Sequence, residues 1–247
     1  MSQKKRSMYM STSGDDAIMN MADLSMMQLS DSFFPTGMYS MSNGLEAIFY
    51  SGKKKMNAEE LRELVKTYIE YQIGPADCTA LGNAYIHAAR SNLPKLLEVD
   101  KVIFSMKLVQ EIRDASIRSG TQLVRCIRSF SDNKMVGQYE DAIREGQAFG
   151  PYPVALAVAA NAFLIPKEKA ALVMLYSFSV SIVGAALRLG MLQHFDGQKV
   201  IDELKPAIVK VIKANINRPL EGIWQFAPSI DITQISHERM NSRMFIT

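Results

Sequence analysis

An all-α, single-domain helical bundle is the fold class this chain predicts, and three observations predict it. Apolar residues recur at i, i+3, i+4 and i+7 through most of the sequence. Nowhere do alternating β-branched runs of strand length recur with hairpin turns between them. Glycine and proline, 14 and 9 in 247 residues, are too scarce for a sandwich or barrel that turns every ten or so residues.

Taken in order, the polar Ser/Met-rich stretch over 1–20 reads as a loose, flexible tail, because no continuous apolar run follows its basic residues. The domain itself is expected over 21–247. A short apolar helix near Met26 gives way to a Pro35-Thr36-Gly37 turn. From Asn57 to Ile73, Leu61, Leu64, Val65, Tyr68, Ile69 and Gln72 form one face, and Glu59, Arg62, Glu63, Lys66 and Glu70 the other. Asn57 and Glu60 have the spacing of a capping box, and Gly74-Pro75 is expected to end this helix, with another starting near Ala76.

Lys101 to about Phe130 reads as one further helix, with Ile112, Ser116, Ser119, Leu123, Ile127 and Phe130 on one stripe. Ser116 and Gly120, four apart on that helix, predict the close approach of another backbone. Beyond the turn signal Ser131-Asp132-Asn133, helices are expected over Met135–Gln147, Pro151–Phe163, Lys167 to about Leu192, and Gln198–Ile216. Within the third of these, Ala170 to Leu187 is uncharged and reaches the ~18 residues at the lower limit for a membrane span. Ser177, Ser179 and Ser181, and the lack of flanking aromatic anchors, favour instead a central helix buried on nearly all sides of a bundle.

Charge and chemistry exclude more than they assign. With 28 Lys+Arg against 25 Asp+Glu, the chain lacks the concentrated basic charge of a nucleic-acid binder. Lys53-Lys54-Lys55 and the series Arg118, Arg125, Arg128 are the local exceptions, read as solvated faces or a contact for an acidic protein partner. The two cysteines, Cys78 and Cys126, build no disulfide framework or four-cysteine zinc site. No Walker loop, nucleophile elbow or dinucleotide fingerprint occurs. His237-Glu238 begins a zincin-like pattern but Asn241 stands where the second histidine is needed. His87 and His194 are single histidines on or beside helices, the latter expected just after a helix end. An enzyme, if there were one, would be a helical metal-dependent hydrolase using His87, His194, Asp31, Glu46 and Glu238. The 16 methionines suit adaptable packing at interfaces.

Four separated motifs carry a resemblance. Gln28-Leu29-Ser30-Asp31 with Pro35-Thr36-Gly37 is followed by Ser42-Asn43-Gly44-Leu45-Glu46; Arg113, Ser116 and Gly120 share a central helix; Arg188-Leu189-Gly190 precedes Leu192-Gln193; and His237-Glu238 leads to Arg243-Met244-Phe245. In this order they resemble the urease accessory protein UreF family. The resemblance implies a cytoplasmic, dimeric, non-catalytic scaffold that bridges a UreD/UreH-type accessory protein and a UreG-type GTPase, whose activity it can modulate. Apo-urease would be the further partner, and nickel would be handled by the complex with no cofactor held tightly. The end of the chain, 228–247, is expected to be a partner-docking segment carrying His237, Glu238, Met240, Arg243, Met244 and Phe245: either Ile235 to Ile246 is weakly held when free and orders on docking to the UreD-type partner, with Met240, Met244 and Phe245 as buried anchors and Arg243 in a charge-assisted contact, or it packs as the last helix of its own domain. Asp31, Pro35, Gly37, Ser42, Gly44, Glu46, Arg113, Ser116, Gly120 and Arg188 would be interface or structural positions. Relatives often carry histidines where Met41 and Tyr152 stand here, so no metal ligand is assigned.

Overall fold

The computed structural model describes residues 20–37, 40–52 and 56–247. The expected tail, apart from Asn20, and the Lys53-Lys54-Lys55 cluster lie outside the described residues. Those residues form helices and connecting turns without strands. The helices are α1 Met21–Ser30, α2 Leu45–Tyr50, α3 Ala58–Tyr68, α4 Thr79–Ala89, α5 Leu93–Met106, α6 Gln110–Arg128, α7 Lys134–Arg144, α8 Tyr152–Ala162, α9 Lys167–Arg188, α10 His194–Asn215 and α11 Pro228–Glu238, with a π-helical segment over Ile69–Cys78 and a short 3₁₀ turn over Leu220–Gly222.

The capping box at α3 forms as its spacing predicts. Asn57 Oδ1 accepts from Glu60 N at 2.9 Å and Glu60 Oε2 accepts from Asn57 N at 2.9 Å, so two orphan donors of the first turn satisfy each other. Gly74-Pro75 does not end this helix. The chain runs from α3 through the π segment into α4 without a break. A wider π turn lets the ladder change register where Pro75 lacks an N–H. Gly74 is required by packing: a Cβ there would lie 2.3 Å from Val211 Cγ1 of α10 and 2.5 Å from the Ile69 carbonyl.

The long helix expected from Lys101 to Phe130 is two helices, because the chain leaves helical geometry at Lys107 and Val109. Lys107 is buried there and donates to Asp77 of the π segment at 2.8 and 3.0 Å. An unpaired ammonium would be costly in that place, and the local sequence pattern carries no trace of a partner 30 positions away. Phe130, expected on the buried stripe of α6, lies beyond its end and is exposed, whereas Ser119, Leu123 and Ile127 are buried.

Ser116 and Gly120 do receive a close backbone. A Cβ on Gly120 would stand 2.1 Å from the Gly150 carbonyl, and Ser116 Oγ accepts from Tyr152 N at 3.2 Å. The same loop is held from the other side by Asp100, a fully buried carboxylate that accepts from Phe149 N, Gly150 N and the Tyr139 hydroxyl at 2.8, 3.0 and 2.6 Å. Burial pushes the Asp100 carboxyl above its ordinary value, against the pull of these three donors.

Helix α9 runs through the middle of the bundle, touching α1, α2, α3, the π segment, α4, α8 and α10. Its length and composition would suffice to cross a membrane, but here its apolar residues Ala171, Leu175, Ile182 and Ala186 are covered by other helices. An edge of it remains open at Leu172 and Tyr176. The shorter α8 is more completely enclosed, with all its residues but Asn161 buried. Helix α10 starts four residues earlier than the Gln198 expected from sequence, so His194 opens a helix and does not close one. Asp196-Gly197 lies inside its first turn, where Gly197 packs against Val183 and Leu187 of α9.

Candidate functional site: the Ser40–Glu46 segment and the C-terminal clamp

Two of the motif-bearing segments, distant in sequence, meet in space. The first turns sharply: Asn43 and Gly44 have φ of 53° and 91°, values in the left-handed region, where glycine carries no Cβ penalty. A side chain on Gly44 would press on Gln234 N and Thr233 Cγ2 of α11, both 3.2 Å from the added Cβ. The Tyr68 hydroxyl fixes the turn by donating to the Asn43 carbonyl. Helix α2 then starts with Leu45 and Glu46 buried.

Glu46 is 1% exposed and accepts three hydrogen bonds. Met244 N donates to Oε1 at 2.7 Å, Phe245 N to Oε2 at 3.1 Å, and His237 Nε2 lies 3.0 Å from Oε2. Burial alone would raise this carboxyl; the Met244 and Phe245 amides and the His237 ring together outweigh burial and hold it below its ordinary value. His237 Nδ1 sits 2.8 Å from Glu111 Oε2 on α6, and Glu111 Oε1 accepts from Arg243. A carboxylate can only accept, so the ring meets both partners fully when each of its nitrogens carries a hydrogen. The series Arg243, Glu111, His237, Glu46 thus closes on the amides of Met244 and Phe245, immediately after Arg243.

The last residues are tied down further. Ser42 N and Oγ both donate to the Thr247 O at 2.6 and 2.5 Å, and Ile246 N donates to the Ser40 carbonyl at 2.9 Å. Phe245 is buried, with the Arg188 guanidinium 4.5 Å from its ring centroid, a cation–π distance. At the base, Gln72 of the π segment donates to Asp231 and Gln234 of α11 at 3.1 and 3.3 Å. The expectation of a weakly held tail that orders only on docking is therefore corrected: the segment packs as the last part of its own domain. His237 and Phe245 are enclosed by this chain, Met240 is half-buried, and Arg243 pairs with Glu111. Glu238, Met244 and Ile246 keep exposed surface, as do Ile232 and Ile235 on the outer side of α11.

The remaining sequence-derived positions fall nearby or elsewhere in the scaffold. Asp31 accepts from Phe33 N at 2.8 Å and so stabilises the turn leading to Pro35. Gly37 has φ of 75° with open space around it. Arg113 donates to the Lys107 carbonyl at 3.2 Å and lies 5.2 Å from the Phe104 ring centroid. The residues considered for a hydrolase are not brought together: Glu46 is engaged by His237, His87 lies in the last turn of α4, His194 opens α10, and no group of three or more His, Cys, Asp or Glu able to hold a metal occurs among the described residues. Burial, reinforced by Arg90 and Lys95, pulls His87 below its ordinary value. The sequence reading missed Glu111, the link between Arg243 and His237. No local pattern marks it; its position two residues before Arg113 on the same helix is the nearest signal.

With that geometry established, comparison with known proteins decides the family. The UreF family profile matches residues 55–205. The chain belongs to the UreF family. It is 30% identical over 223 residues to "Urease accessory protein UreF" of Trichodesmium erythraeum, covering 90% of this chain and 95% of that one. A protein of the same name from Bacillus sp. is 27% identical over 224 residues, covering 91% and 98%. "Urease accessory protein UreF 1" of Brucella melitensis is 30% identical over 223 residues, covering 90% and 92%. Of the clamp in this UreF-family chain, Glu46 and His237 lie outside the residues the profile matches, whereas Glu111 and Arg188 lie inside them. The glycine that seats α8 on α6 lies inside them.

Proposed function

We propose that this chain is a urease accessory scaffold that matures the nickel site of apo-urease by binding proteins, with no covalent chemistry of its own. Its partners are a UreD/UreH-type accessory protein and a UreG-type GTPase, which it bridges and whose nucleotide turnover it modulates. It acts as a homodimer in the cytoplasm, and nickel is cargo of the assembled complex. The observation that carries this reading is the apolar surface of Ile232, Ile235, Met244 and Ile246, exposed around a rigidly clamped C-terminal segment. Isolated exposed apolar residues are ordinary, but four within the last sixteen residues, on a segment already tied down by its own hydrogen bonds, offer a protein partner apolar surface at little ordering cost. Family membership and the names of the relatives support the same reading.

The reading differs from the sequence-based expectation in one physical respect. Docking does not have to order the segment, so the ordering entropy is already met within the free chain. Glu238, Met240, Arg243 and Met244 offer side chains at the surface; His237 and Phe245 act from beneath, by holding the backbone that presents them. The test is co-purification with a UreD-type protein. Met244→Asp with Ile246→Asp abolishes the complex in this reading while the fold survives, and an undiminished complex sinks it.

A further inference from the structure

Helix α6 carries four arginines, and two of them have structural work. Arg113 lies against the Phe104 ring and donates to the Lys107 carbonyl, and Arg128 pairs with Glu140 at 3.7 Å and donates to the Ser131 carbonyl. Arg118 and Arg125 have neither an ion-pair nor a hydrogen-bond partner among the described residues, and both are exposed. They line a groove of about 570 Å³ between α6, the Pro35–Gly37 turn and Ile246. No carboxylate lines it among the described residues. The adjoining cavity beyond Arg118 contrasts with it, containing Glu111, Asp114 and Glu238.

Two features make this groove more than a solvated face. Ser119, on its lining, is 2% exposed and its Oγ has no hydrogen-bond partner. A helix serine ordinarily returns to the carbonyl four residues back, as Ser179 does to Leu175 at 2.8 Å. A buried donor left unsatisfied calls for an acceptor from outside. The walls also include the apolar side chains of Pro35, Ile117 and Ile246, so a ligand there must combine anionic and apolar parts.

Spacing narrows the ligand class. Seven residues of helix bring Arg118 and Arg125 to the same face, about 10 Å apart along the axis, with Gln122 between them. In an extended peptide of polyproline II geometry three residues make one turn, so positions i and i+3 share a face about 9 Å apart. A segment with two acidic side chains three residues apart supplies one carboxylate to each arginine and apolar atoms to the walls, whereas inorganic phosphate has no apolar part.

We propose that the groove along Arg118, Gln122 and Arg125 is a docking site for an extended acidic segment of a partner protein, its carboxylates received by the two guanidiniums and its backbone or side chain by the Ser119 hydroxyl. The proposal rests on the reading that this chain works by binding proteins, and gives one of its surfaces a partner chemistry. Carboxylate binds guanidinium through two parallel charge-assisted hydrogen bonds, which makes each arginine a strong determinant.

The test uses the full chain and a fluorescein-labelled peptide with glutamates three residues apart flanked by leucine, followed by fluorescence anisotropy. Its glutamine counterpart and inorganic phosphate serve as comparison and competitor. Arg118→Ala and Arg125→Ala each weaken binding by about tenfold or more, and Arg144→Ala, which removes an exposed arginine paired with Asp141 on α7, leaves it unchanged. The proposal is overturned if the glutamine peptide binds as well, if the two groove variants bind like wild type, or if phosphate at a concentration near that of the protein displaces the peptide. Any of these results leaves complex formation with the UreD-type protein untouched, so failure here is distinguishable from failure of the scaffold reading.

Discussion

The Glu46 carboxylate and the His237 ring, 3.0 Å apart and both almost fully buried, join segments 191 positions apart in the chain. Around this contact the last residues become part of the core. Removing Glu46 leaves the Met244 and Phe245 amides and His237 Nε2 without an acceptor. Glu46→Ala is expected to cost about 3 kcal/mol or more, as buried charged networks do when one member is removed. Denaturant unfolding measures the loss, and limited proteolysis should show the segment after His237 cut first. An unchanged unfolding midpoint would contradict the clamp.

The acid limb of stability follows from the same contact. Glu46 is held below its ordinary value of 4.5 in the folded chain. A carboxyl lowered on folding stabilises the native state above its unfolded value, and that contribution disappears as pH falls through the folded value. Stability from Glu46 is therefore complete at neutral pH and declines below about 4.5. Glu46→Gln should flatten the dependence of stability on pH in that acidic range.

Gly120→Ala should destabilise by about 1–3 kcal/mol through overpacking, since neither α6 nor the Gly150-Pro151 loop can give way easily. The backbone atom in its path is 2.1 Å from the added methyl, and Asp100 holds the loop from behind. Thermal unfolding of the variant beside Gly146→Ala, whose site is open but has φ of 72°, separates contact from backbone strain.

Lys107→Met strands Asp77 as a buried, unpaired carboxylate and should cost about 3–5 kcal/mol, whereas the double variant with Asp77→Leu should recover most of it. A double-mutant cycle by chemical denaturation reads the coupling. Additive losses would show that the pair does not interact in the folded chain.

Local rules made much of the fold legible and the site only half so. Asn57-Glu60 is written in a three-residue spacing and the stripe of α3 in spacings of three, four and seven, and Ser116 with Gly120 announced a close backbone without saying which one. Gly74-Pro75 misled because the stop signal describes an α ladder, and the chain passes it by widening into the ten-residue π segment packed against Val211. His194 looked like a C-terminal cap because the break between α9 and α10 is short. Glu46 and His237 each stood in a recognisable motif, but their contact depends on tertiary packing that no local spacing encodes. Asp100 had a weak signal, an acid on the buried face of α5 beside Val99 and Ile103; Glu111 had none.

The most direct test of the central idea, that a rigid C-terminal surface binds another protein, is the dissociation constant for a UreD-type partner measured by calorimetry with the Met244→Asp, Ile246→Asp chain. Affinity should fall by at least about a hundredfold, the scale of losing an interface hot spot, while the melting temperature stays that of wild type. Wild-type affinity in a folded double variant would contradict the account.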